Sequence, residues 1–555
     1  MRSRVDVVRE RVSDIPMRVR VIAELSVKSG LLWEIGRDAL REIVRTLATG
    51  SQNPSQIYRI HAVNTPNKTA LVWRDVSYTY GELNARIDQL ANALLARGFG
   101  RGKSLLLMMK NRPEFIELGA AAARLGGAAV SVSWRSTAAE LSYLANHSGA
   151  ELLCFDAEVK EAVFGAKTEF SERLRANLVC VGSLVDGVES YASFFNQGAG
   201  RGTPPPASAD DAAVVIYTSG TTGKPKGAVR KFPRDAIPQM LRFILQTPMR
   251  SSDVHLVVCP LYHSTAFAFM GLSQILGCTV VLLDEFKPEP FLNAVERYRA
   301  TTTALVPTML SRLMELPAEE RARYNARSLR VVFTGGAQLP ATLGLEFMDA
   351  FGDVLFNFYG ATETGLVTLA SPEDLRAAPG CIGKAVPGND IRWMDESGRE
   401  IETGVGELFV KNKLLVAGYH NDDGATRASM KDGFFSVGDL ARRDRDGRYF
   451  IEGRKRDMVI SGGVNVYPAE VEAVLESHPA VFEAAVVGVP DKDFGERVRA
   501  FVVRRSGADL DEAGIKAYVR ERLSGAKVPR DFVFLDALPR NPTGKVLKRE
   551  LRERQ

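Results

Sequence analysis

The chain has 555 residues, which is too long for one hydrophobic core and predicts several subdomains. Its 72 basic and 67 acidic side chains leave a net charge of +5, so nothing in the charge indicates a nucleic-acid partner. The 5 cysteines form no C-x-x-C pair, which favours buried free thiols in a cytoplasmic protein over disulfides or a metal site. Residues 1–24 carry scattered charges without an apolar core, so no secretion signal is predicted.

Residues 1–50 are predicted to form an N-terminal helical extension. Between residues 18 and 47, apolar and basic side chains recur at near-helical spacing. The pattern suits a helix lying on a membrane surface. It suits equally a helix packed on its own protein or on a twin subunit, which is the commoner arrangement. Acidic residues such as Glu34 and Asp38 dilute the positive face and weaken the membrane interpretation.

Apolar strands then alternate with amphipathic helices. Residues 105–109 and 128–132 are predicted to be buried strands on either side of a helix over residues 113–125. Such alternation is typical of parallel α/β layers. Residues 200–206, Gly-Arg-Gly-Thr-Pro-Pro-Pro, predict a stiff surface linker before the next strand.

A loop rich in glycines, hydroxyls and lysines follows the apolar strand at residues 212–216. It spans residues 217–227, Tyr-Thr-Ser-Gly-Thr-Thr-Gly-Lys-Pro-Lys-Gly. Glycines let backbone N–H groups approach an anion, while hydroxyls and ammonium groups supply donors and positive charge. The loop is not a Walker A motif, because the Gly-Lys-Ser/Thr ending is missing. It predicts a phosphate-binding site.

The longest apolar stretch covers residues 265–283. It contains Ser273 and Gln274, and it breaks at Gly277 before the apolar residues 279–283. This pattern predicts a buried helix followed by a buried strand rather than a membrane span.

Further candidate site residues follow the phosphate loop along the chain. Residues 331–337 predict a strand that ends in the pair Gly335-Gly336. Residues 357–365 contain Tyr359 and Glu363, and a single carboxylate with phosphate oxygens is a common way for a protein to hold Mg²⁺. Asp439 and the segments 453–472 and 539–545 follow in order.

The last third of the chain changes character. Residues 388–449 predict short strands and turns, which suggests a small β-rich subdomain. Beyond Arg456, strands over residues 483–489 and 498–503 and helices over residues 469–476 and 511–523 predict a compact α+β tail. The expected fold is α/β: a large domain of layered α/β subdomains with the β-rich subdomain over residues 51–455, and a small C-terminal domain over residues 456–555.

Taken in order, these segments resemble the adenylate-forming superfamily, which includes acyl-CoA synthetases, peptide-synthetase adenylation domains and firefly luciferase. The resemblance covers roughly residues 60–550. It implies that ATP activates a small-molecule carboxylic acid as an acyl-adenylate with release of pyrophosphate. Mg²⁺ and coenzyme A are the further cofactors that it implies, and the C-terminal domain is expected to be mobile.

The resemblance also assigns roles to individual residues. It implies that Glu363 binds the metal, that Tyr359 stacks on adenine, and that Arg456 lies at the hinge. The implied catalytic residues are Lys545, Glu363, Lys226 and His263. The implied nucleotide and coenzyme A contacts are Thr218, Ser219, Gly220, Thr221, Thr222, Gly223, Gly336, Ala337, Tyr359, Gly360, Thr362, Asp439, Arg454, Gly462 and Gly463.

Four residues depart from the pattern of the resembling enzymes. Val437 stands where many of them have Thr, and Arg456 stands where they use Asp or Lys. Residues 230–231, Arg-Lys, replace a common Thr-His pair, which weakens the carry-over just past the phosphate loop.

The sequence determines the identity of the acid substrate less closely than it determines the reaction. Residues 260–267 carry no carboxylate, so an amino acid is disfavoured. His263 matches a residue at the carboxylate end of the pocket in resembling enzymes, although a hydrogen-bonded core histidine is the alternative. The further predicted pocket residues are Phe267, Thr308, Gly335 and Val367. Small residues at 335 and 336 are expected to leave room for a medium- to long-chain fatty acid, and aromatic or sterol-derived acids are the alternatives.

The acyl acceptor and the location are also inferred. No carrier domain follows Lys545 in this sequence, which favours coenzyme A over a carrier protein. An inactive nucleotide-binding scaffold is disfavoured because Lys545 and Glu363 are both present. The expected location is the cytoplasm, with attachment to the inner face of the membrane as the alternative, and a homodimer is compatible with the N-terminal helix.

Overall fold

The computed structural model describes residues 28–30, 35–49, 53–204, 207, 214–218, 226–230, 236–395, 397–420, 422–461, 464–492, 494–523, 525–540 and 546–554. The predicted phosphate loop between residues 219 and 225, Gly462, Gly463 and Lys545 lie outside these residues, as does most of the stretch 18–34.

The strands, in chain order, are β1 (Thr69–Trp73), β2 (Val76–Thr79), β3 (Ser104–Met108), β4 (Ala128–Ser131), β5 (Leu152–Asp156), β6 (Leu178–Val181), β7 (Glu189–Ser190), β8 (Val214–Thr218), β9 (Lys226–Arg230), β10 (Val254–Val257), β11 (Thr279–Leu282), β12 (Thr302–Leu305), β13 (Val331–Thr334), β14 (Leu355–Ala361), β15 (Gly365–Ala370), β16 (Lys384–Ala385), β17 (Asp390–Met394), β18 (Gly406–Lys411), β19 (Met430–Lys431), β20 (Phe434–Phe435), β21 (Asp439–Arg443), β22 (Tyr449–Arg454), β23 (Val459–Ser461), β24 (Val464–Val466), β25 (Val481–Asp491), β26 (Gly495–Arg504) and β27 (Asp531–Leu535).

The α-helices are α1 (Arg37–Thr49), α2 (Gln56–Asn64), α3 (Tyr80–Ala96), α4 (Pro113–Arg124), α5 (Ala138–Ser148), α6 (Lys160–Ala166), α7 (Glu172–Ala176), α8 (Tyr191–Asn196), α9 (Ala236–Leu245), α10 (Ser264–Ile275), α11 (Pro288–Tyr298), α12 (Pro307–Glu315), α13 (Ala318–Arg321), α14 (Ala341–Phe351), α15 (Pro372–Ala377), α16 (Asp423–Ala428), α17 (Pro468–Glu476), α18 (Glu512–Arg520) and α19 (Lys548–Glu553).

Two largely parallel sheets form the α/β layers of the large domain. The first has the order β7-β6-β5-β3-β4-β8-β9, and its strands are parallel except for β9. The second has the order β16-β15-β14-β13-β12-β10-β11-β1-β2, with antiparallel strands at both edges. Parallel neighbours need crossover connections, and the helices between the strands supply them.

Two smaller sheets follow in the chain. An antiparallel sheet contains β17 to β22 and corresponds to the predicted β-rich subdomain. The last sheet contains β23 to β27, with α17 and α18 packed beside it. This arrangement confirms the predicted fold class. The predicted boundary at residues 455–456 stays a prediction; β22 ends at Arg454 and β23 begins at Val459.

Local sequence signals explain where several helices begin. α3 and α5 start with capping boxes, in which Thr79 pairs with Glu82 and Thr137 pairs with Glu140. Proline occupies the first position of α4, α11, α12 and α17, where its missing N–H costs no helical hydrogen bond. These starts agree with the predicted helices at residues 113 and 469 to within a residue.

The apolar stretch at residues 265–283 is a helix followed by a strand, as predicted. α10 is succeeded by Gly277, with φ +73°, and then by the buried strand β11. Among the described residues, no helix has both the length and the apolar character needed to cross a membrane. All 5 cysteines are buried free thiols, which also agrees with the sequence.

The described part of the N-terminal extension packs on the protein. α1 contacts α2, and Ala39 on its inner face is 1% exposed. Leu40 and Val44 on the opposite face are each 56% exposed. This contact favours packing for α1, while membrane association of residues 18–47 stays a prediction.

A buried charge network joins α2, α3 and α4. The guanidinium of Arg124 is fully buried, and its Nη1 lies 2.6 Å from Oδ1 of Asp88. Its Nη2 donates to Oδ1 of Asn84 (3.0 Å) and to the carbonyl of Ser55 (3.1 Å). Burial lowers the pKa of Arg124 to about 10, so the group stays charged at neutral pH.

Replacing Arg124 by Leu is expected to destabilise this region by about 3 to 5 kcal/mol, because Asp88 loses a buried partner. The measurement is urea unfolding followed by fluorescence, and Arg323→Leu at an exposed position is the control. An unchanged unfolding midpoint for Arg124→Leu would show that the network adds little stability.

Candidate active site

Four neighbouring parallel strands end at one large cavity. The segments after β10, β12, β13 and β14 bring His263, Thr308, Gly336 and Glu363 to its wall. In open α/β sheets, ligands bind outside the carboxyl ends of the strands. The cavity volume is about 1930 Å³. A single small ligand usually occupies roughly 300–1,000 Å³, so this cavity has room for an acid beside a nucleotide.

Tyr359, Asp439 and Arg454 meet at the wall formed by β14 and the β-rich sheet. The Tyr359 hydroxyl donates to Oδ2 of Asp439 (2.7 Å), and Nε of Arg454 lies 3.2 Å from Oδ1. Burial and the negative charge of Asp439 raise the pKa of Tyr359 well above 10, so its hydroxyl remains a donor at neutral pH. The structure therefore brings the residues predicted for adenine and ribose into one cluster.

Glu363 lies in the turn between β14 and β15 and is 7% exposed. Its Oε1 accepts a hydrogen bond from the hydroxyl of Tyr419 (3.0 Å). The ammonium of Lys226 lies 5.1 Å from the centre of the Tyr419 ring. Tyr419 therefore contacts both the predicted metal-binding carboxylate and the predicted phosphate-binding lysine.

The surroundings of Glu363 are compatible with one particular type of metal site. Among the described residues, no group of three or more His, Cys, Asp or Glu side chains is arranged to hold a metal. A lone hard carboxylate suits Mg²⁺ when phosphate oxygens and water complete its shell. The donor set thus fits the predicted magnesium that accompanies ATP.

The two ends of the predicted phosphate loop are held in a hairpin. Thr218 at the end of β8 is opposite Lys226 at the start of β9. The loop of the β-rich subdomain adds to this hairpin, because the backbone N–H of His420 donates to the carbonyl of Gly227 (2.7 Å). The backbone N–H of Ala417 likewise donates to the carbonyl of Val229 (3.1 Å). Lys226 is thereby placed at the cavity wall.

The start of α10 forms the wall near Thr362. The Thr362 hydroxyl donates to the Ser264 hydroxyl (3.2 Å). His263 precedes the helix, and its ring centre is 4.2 Å from that of Tyr262. His263, Phe267 and Thr308 all line the cavity, and their contact with the acid stays a prediction.

Two predicted pocket residues require correction. A Cβ at Gly335 would be 2.5 Å from the carbonyl oxygen of Phe358 and 2.7 Å from its ring, so this glycine admits Phe358 rather than substrate. Val367 is fully buried among Leu408, Val410 and Ala441 in the β-rich subdomain. Gly336, by contrast, opens to the cavity, because a Cβ at this position would have Oγ1 of Thr265 as its nearest neighbour, 3.7 Å away.

The C-terminal domain closes another side of the cavity. Arg540 and Val546, which flank the undescribed residues 541–545 in the sequence, are joined by a backbone bridge and line the cavity. Arg540 is paired with Glu483, and Nζ of Lys548 lies 2.6 Å from Oε1 of Glu472. Arg456 lies in the short 3₁₀ turn Lys455–Asp457 between β22 and β23, and its role as a hinge stays a prediction.

Two family models match the chain. The model of the AMP-binding enzyme matches residues 58–420, and that of the AMP-binding enzyme C-terminal domain matches residues 470–545. The chain belongs to the AMP-binding enzyme family.

Individual relatives narrow the enzyme class. The long-chain-fatty-acid–CoA ligase FadD13 of Mycobacterium tuberculosis is 33% identical over 483 residues, which cover 86% of this chain and 93% of the relative. Feruloyl-CoA synthase of an Amycolatopsis species is 35% identical over 499 residues, which cover 88% and 96%. The crystal structure of anthranilate CoA ligase AuaEII with anthranoyl-AMP has a TM-score of 0.83 at 25% identity and covers 90% of this chain and 96% of that one.

This member of the AMP-binding family is an AMP-forming acid–thiol ligase, and ATP and coenzyme A are its co-substrates. The predicted recognition and enzyme class are confirmed. The relatives are named as enzymes, which argues against the inactive scaffold.

Sequence reasoning missed Tyr419. It follows Gly418 in a loop of the β-rich subdomain, and a Gly-Tyr pair by itself carries no chemical signal. Its importance depends on three segments that meet only in the folded chain: the β14–β15 turn, β9 and the loop at residues 416–420.

Replacing Tyr419 by Phe is expected to raise the Mg²⁺ concentration for half-maximal activity roughly 10-fold, because a hydrogen bond to a carboxylate contributes about 1.5 to 3 kcal/mol. The measurement is acid-dependent pyrophosphate exchange into ATP across a Mg²⁺ titration. Tyr324→Phe, in a partly exposed position outside the cavity, is the control. The same Mg²⁺ dependence in Tyr419→Phe and wild type would contradict this role.

A second prediction concerns Glu476, which lies beside the ion pairs Arg540–Glu483 and Lys548–Glu472. Burial and the charge of Glu472 raise its pKa to about 8, while the Ala484 N–H and Arg540 oppose the shift. Between about pH 5 and 8, the carboxyl group of Glu476 is protonated in the folded state but ionised in the unfolded state. The contribution of Glu476 to the free energy of unfolding therefore falls as the pH rises through this range. The melting temperature of Glu476→Gln relative to that of wild type is therefore expected to rise as the pH increases from about 5 to 8. A difference in melting temperature that does not change with pH would contradict the raised pKa of Glu476.

Proposed function

We propose that this ligase converts a medium- to long-chain fatty acid into its acyl-CoA ester. The observation that carries the proposal is the apolar face of α10. Phe267, Ala268, Gly271 and Ile275 follow Ser264 at helical spacing, and all of them line the cavity. The relative FadD13 is named for long-chain fatty acids, which supports the same class.

In the first step, a carboxylate oxygen of the acid forms a bond to the α-phosphorus of ATP. The bond from that phosphorus to the bridging oxygen breaks, and pyrophosphate leaves with the electron pair. The two reactants are both anions, so cationic groups are needed to offset their repulsion. We assign Lys226 and Lys545 to the phosphates and His263 to the carboxylate end of the acid.

Further groups orient the nucleotide. Tyr359 would pack against adenine, Asp439 and Arg454 would contact the ribose, and Thr362 would contact phosphate. Glu363 would hold Mg²⁺, and the ion, when bound, neutralises phosphate charge. In the second step, the thiolate of coenzyme A attacks the acyl carbon and AMP leaves, with Gly462 and Gly463 proposed to border the thiol.

Lys545→Ala is expected to lower acyl-adenylate formation about 100-fold or more, because charge that develops on the phosphates loses a fixed donor. Thioester formation from supplied acyl-AMP is expected to stay near the wild-type rate. Rapid-quench assays of the two half-reactions make the comparison, and Lys160→Ala at an exposed site is the control. An equal fall in both half-reactions would show that the lysine does not act in one step alone.

A panel of acids tests the substrate class. Acid-dependent pyrophosphate release is measured with saturated fatty acids of increasing length and with ferulic and anthranilic acid, each with and without coenzyme A. The proposal expects the highest kcat/KM with the fatty acids. Preference for ferulate would instead support an aromatic acid, in agreement with the relative named feruloyl-CoA synthase.

A further inference from the structure

One face of α10 is turned toward the cavity. Other residues of the helix are at most 2% exposed and belong to the core, among them Ala266 and Phe269. Five residues are half-buried and line the cavity: Ser264, Phe267, Ala268, Gly271 and Ile275. At 3.6 residues per turn, these five fall within about 100° of the helix circumference. They form a continuous band along the helix, the α10 strip.

The α10 strip is apolar along most of its length. Its first residue, Ser264, is the one member with a polar side chain, and α10 as a whole contains no Asp, Glu, Lys, Arg or His. A charged or polar part of a ligand would lose its hydration there without gaining a partner, whereas an alkyl chain gains free energy by leaving water. The strip therefore favours an alkyl chain.

The strip begins beside residues that are predicted to contact phosphate and magnesium. The Thr362 hydroxyl donates to the Ser264 hydroxyl (3.2 Å), and Glu363 follows Thr362 in the chain. His263, which is predicted to lie at the carboxylate end of the acid, immediately precedes the strip. The carboxylate of a bound acid is therefore expected at this end.

An apolar cluster packs beside the first turn of the strip. Phe267 contacts this cluster, which consists of Ala123 on α4 and Val214 and Ile216 on β8. All three residues also line the cavity. An alkyl chain that starts near Ser264 thus has apolar neighbours on more than one element.

The far end of the strip meets α2. The Tyr58 hydroxyl donates to Oε1 of Gln274 (2.9 Å), and Nε2 of His61 lies 3.2 Å from the carbonyl oxygen of Ile275. A Cβ at Gly277, just after the helix, would be 2.7 Å from the His61 ring. The last turn of α10 is therefore packed closely against α2, and the strip ends there.

Gly271 leaves open space within the strip. Among the described residues outside its own helix, nothing lies within 4 Å of the point where a Cβ would stand. Glycine weakens the interior of a helix relative to alanine. Close packing does not require a glycine here, in contrast to Gly335, whose missing Cβ admits Phe358. The space that Gly271 leaves free belongs to the cavity.

We propose that the alkyl chain of the acid lies along the α10 strip and that Gly271 admits chains of more than about ten carbons. This assignment rests on the proposed function and specifies the length of its substrate. From Ser264 to Gly271, α10 rises about 10 Å at 1.5 Å per residue. An extended chain advances about 1.2 Å per bond, so an acid with its carboxyl carbon level with Ser264 reaches Gly271 at roughly its tenth carbon.

The same scale gives an outer limit for the strip. Ile275 lies about 16 Å from Ser264 along the helix axis, which corresponds to roughly the fifteenth carbon. The helix ends there and α2 packs against its last turn. A longer chain would have to leave the strip.

The test measures kcat/KM from pyrophosphate release with saturated acids from hexanoic to hexadecanoic acid. Gly271→Leu is expected to lower kcat/KM for dodecanoic acid about 100-fold more than that for hexanoic acid, because the leucine side chain would occupy the path of the outer methylene groups. Gly424→Leu, at an exposed position of α16, is the matched control and is expected to keep the chain-length profile of wild type.

Ala268→Leu tests the order of positions along the strip. Ala268 precedes Gly271 by three residues, which is about 4.5 Å or roughly four carbons. The loss of activity is therefore expected to begin about four carbons earlier than in Gly271→Leu, so octanoic acid separates the two variants. Gly271→Ala adds a single methyl group and is expected to give a smaller loss in the same direction as Gly271→Leu.

The melting temperature separates the filling of open space from damage to the fold. Leucine favours a helix more than glycine does, and the position is open. The melting temperature of acid-free Gly271→Leu is therefore expected to equal or exceed that of wild type. A lower melting temperature together with equal losses for all acids would overturn the role of Gly271.

The chain-length profiles decide the remaining outcomes. The same profile in Gly271→Leu and wild type would also overturn the role of Gly271, while turnover of fatty acids by wild type upholds the proposed function. Turnover of ferulic acid and of no fatty acid by wild type would overturn the two together.

Discussion

The tight turn between β14 and β15 is the constraint on which the active site depends. A Cβ at Gly360 would overlap the carbonyl oxygen of Gly365, so the two strands approach too closely for any side chain at this position. Tyr359 precedes this contact, and Glu363 lies in the turn itself. The backbone N–H of Val416 donates to the carbonyl of Glu363 (2.9 Å), which ties the turn to the β-rich subdomain. One close approach between backbones therefore places together the groups predicted to bind the nucleotide and the metal.

The β-rich subdomain connects the two charged parts of the site. Its loop at residues 416–420 pairs with β9, from which Lys226 projects, and it carries Tyr419 to Glu363. Asp439 and Arg454 come from paired strands of the same subdomain. The Tyr419 side chain thus contacts both Lys226, through its ring, and Glu363, through its hydroxyl.

The N-terminal helices α1 and α2 line the cavity but lie mostly outside or at the very start of the family-model match. The residues proposed to contact ATP belong mostly to segments matched by the family models, whereas α1 and Gln56 precede that match. The buried network of Arg124 joins the start of α2 to α3 and α4 in the main core.

The amino-acid sequence by itself determined the alternation of strands and helices, the division into α/β, β-rich and C-terminal parts, and the enzyme family. These features depend on local periodicity and on contiguous motifs, which can be read along the chain without knowledge of its folding. The order of the strands, the contact of Tyr419 with Glu363 and the open space at Gly271 were decided only by the tertiary structure. The prediction for Gly335 failed for the same reason: a glycine in a sequence signals close approach, but only the fold shows whether Phe358 or a substrate makes that approach. Val367 was misplaced because an apolar residue is equally suited to a pocket and to a core, and neighbours distant in the chain decide between them.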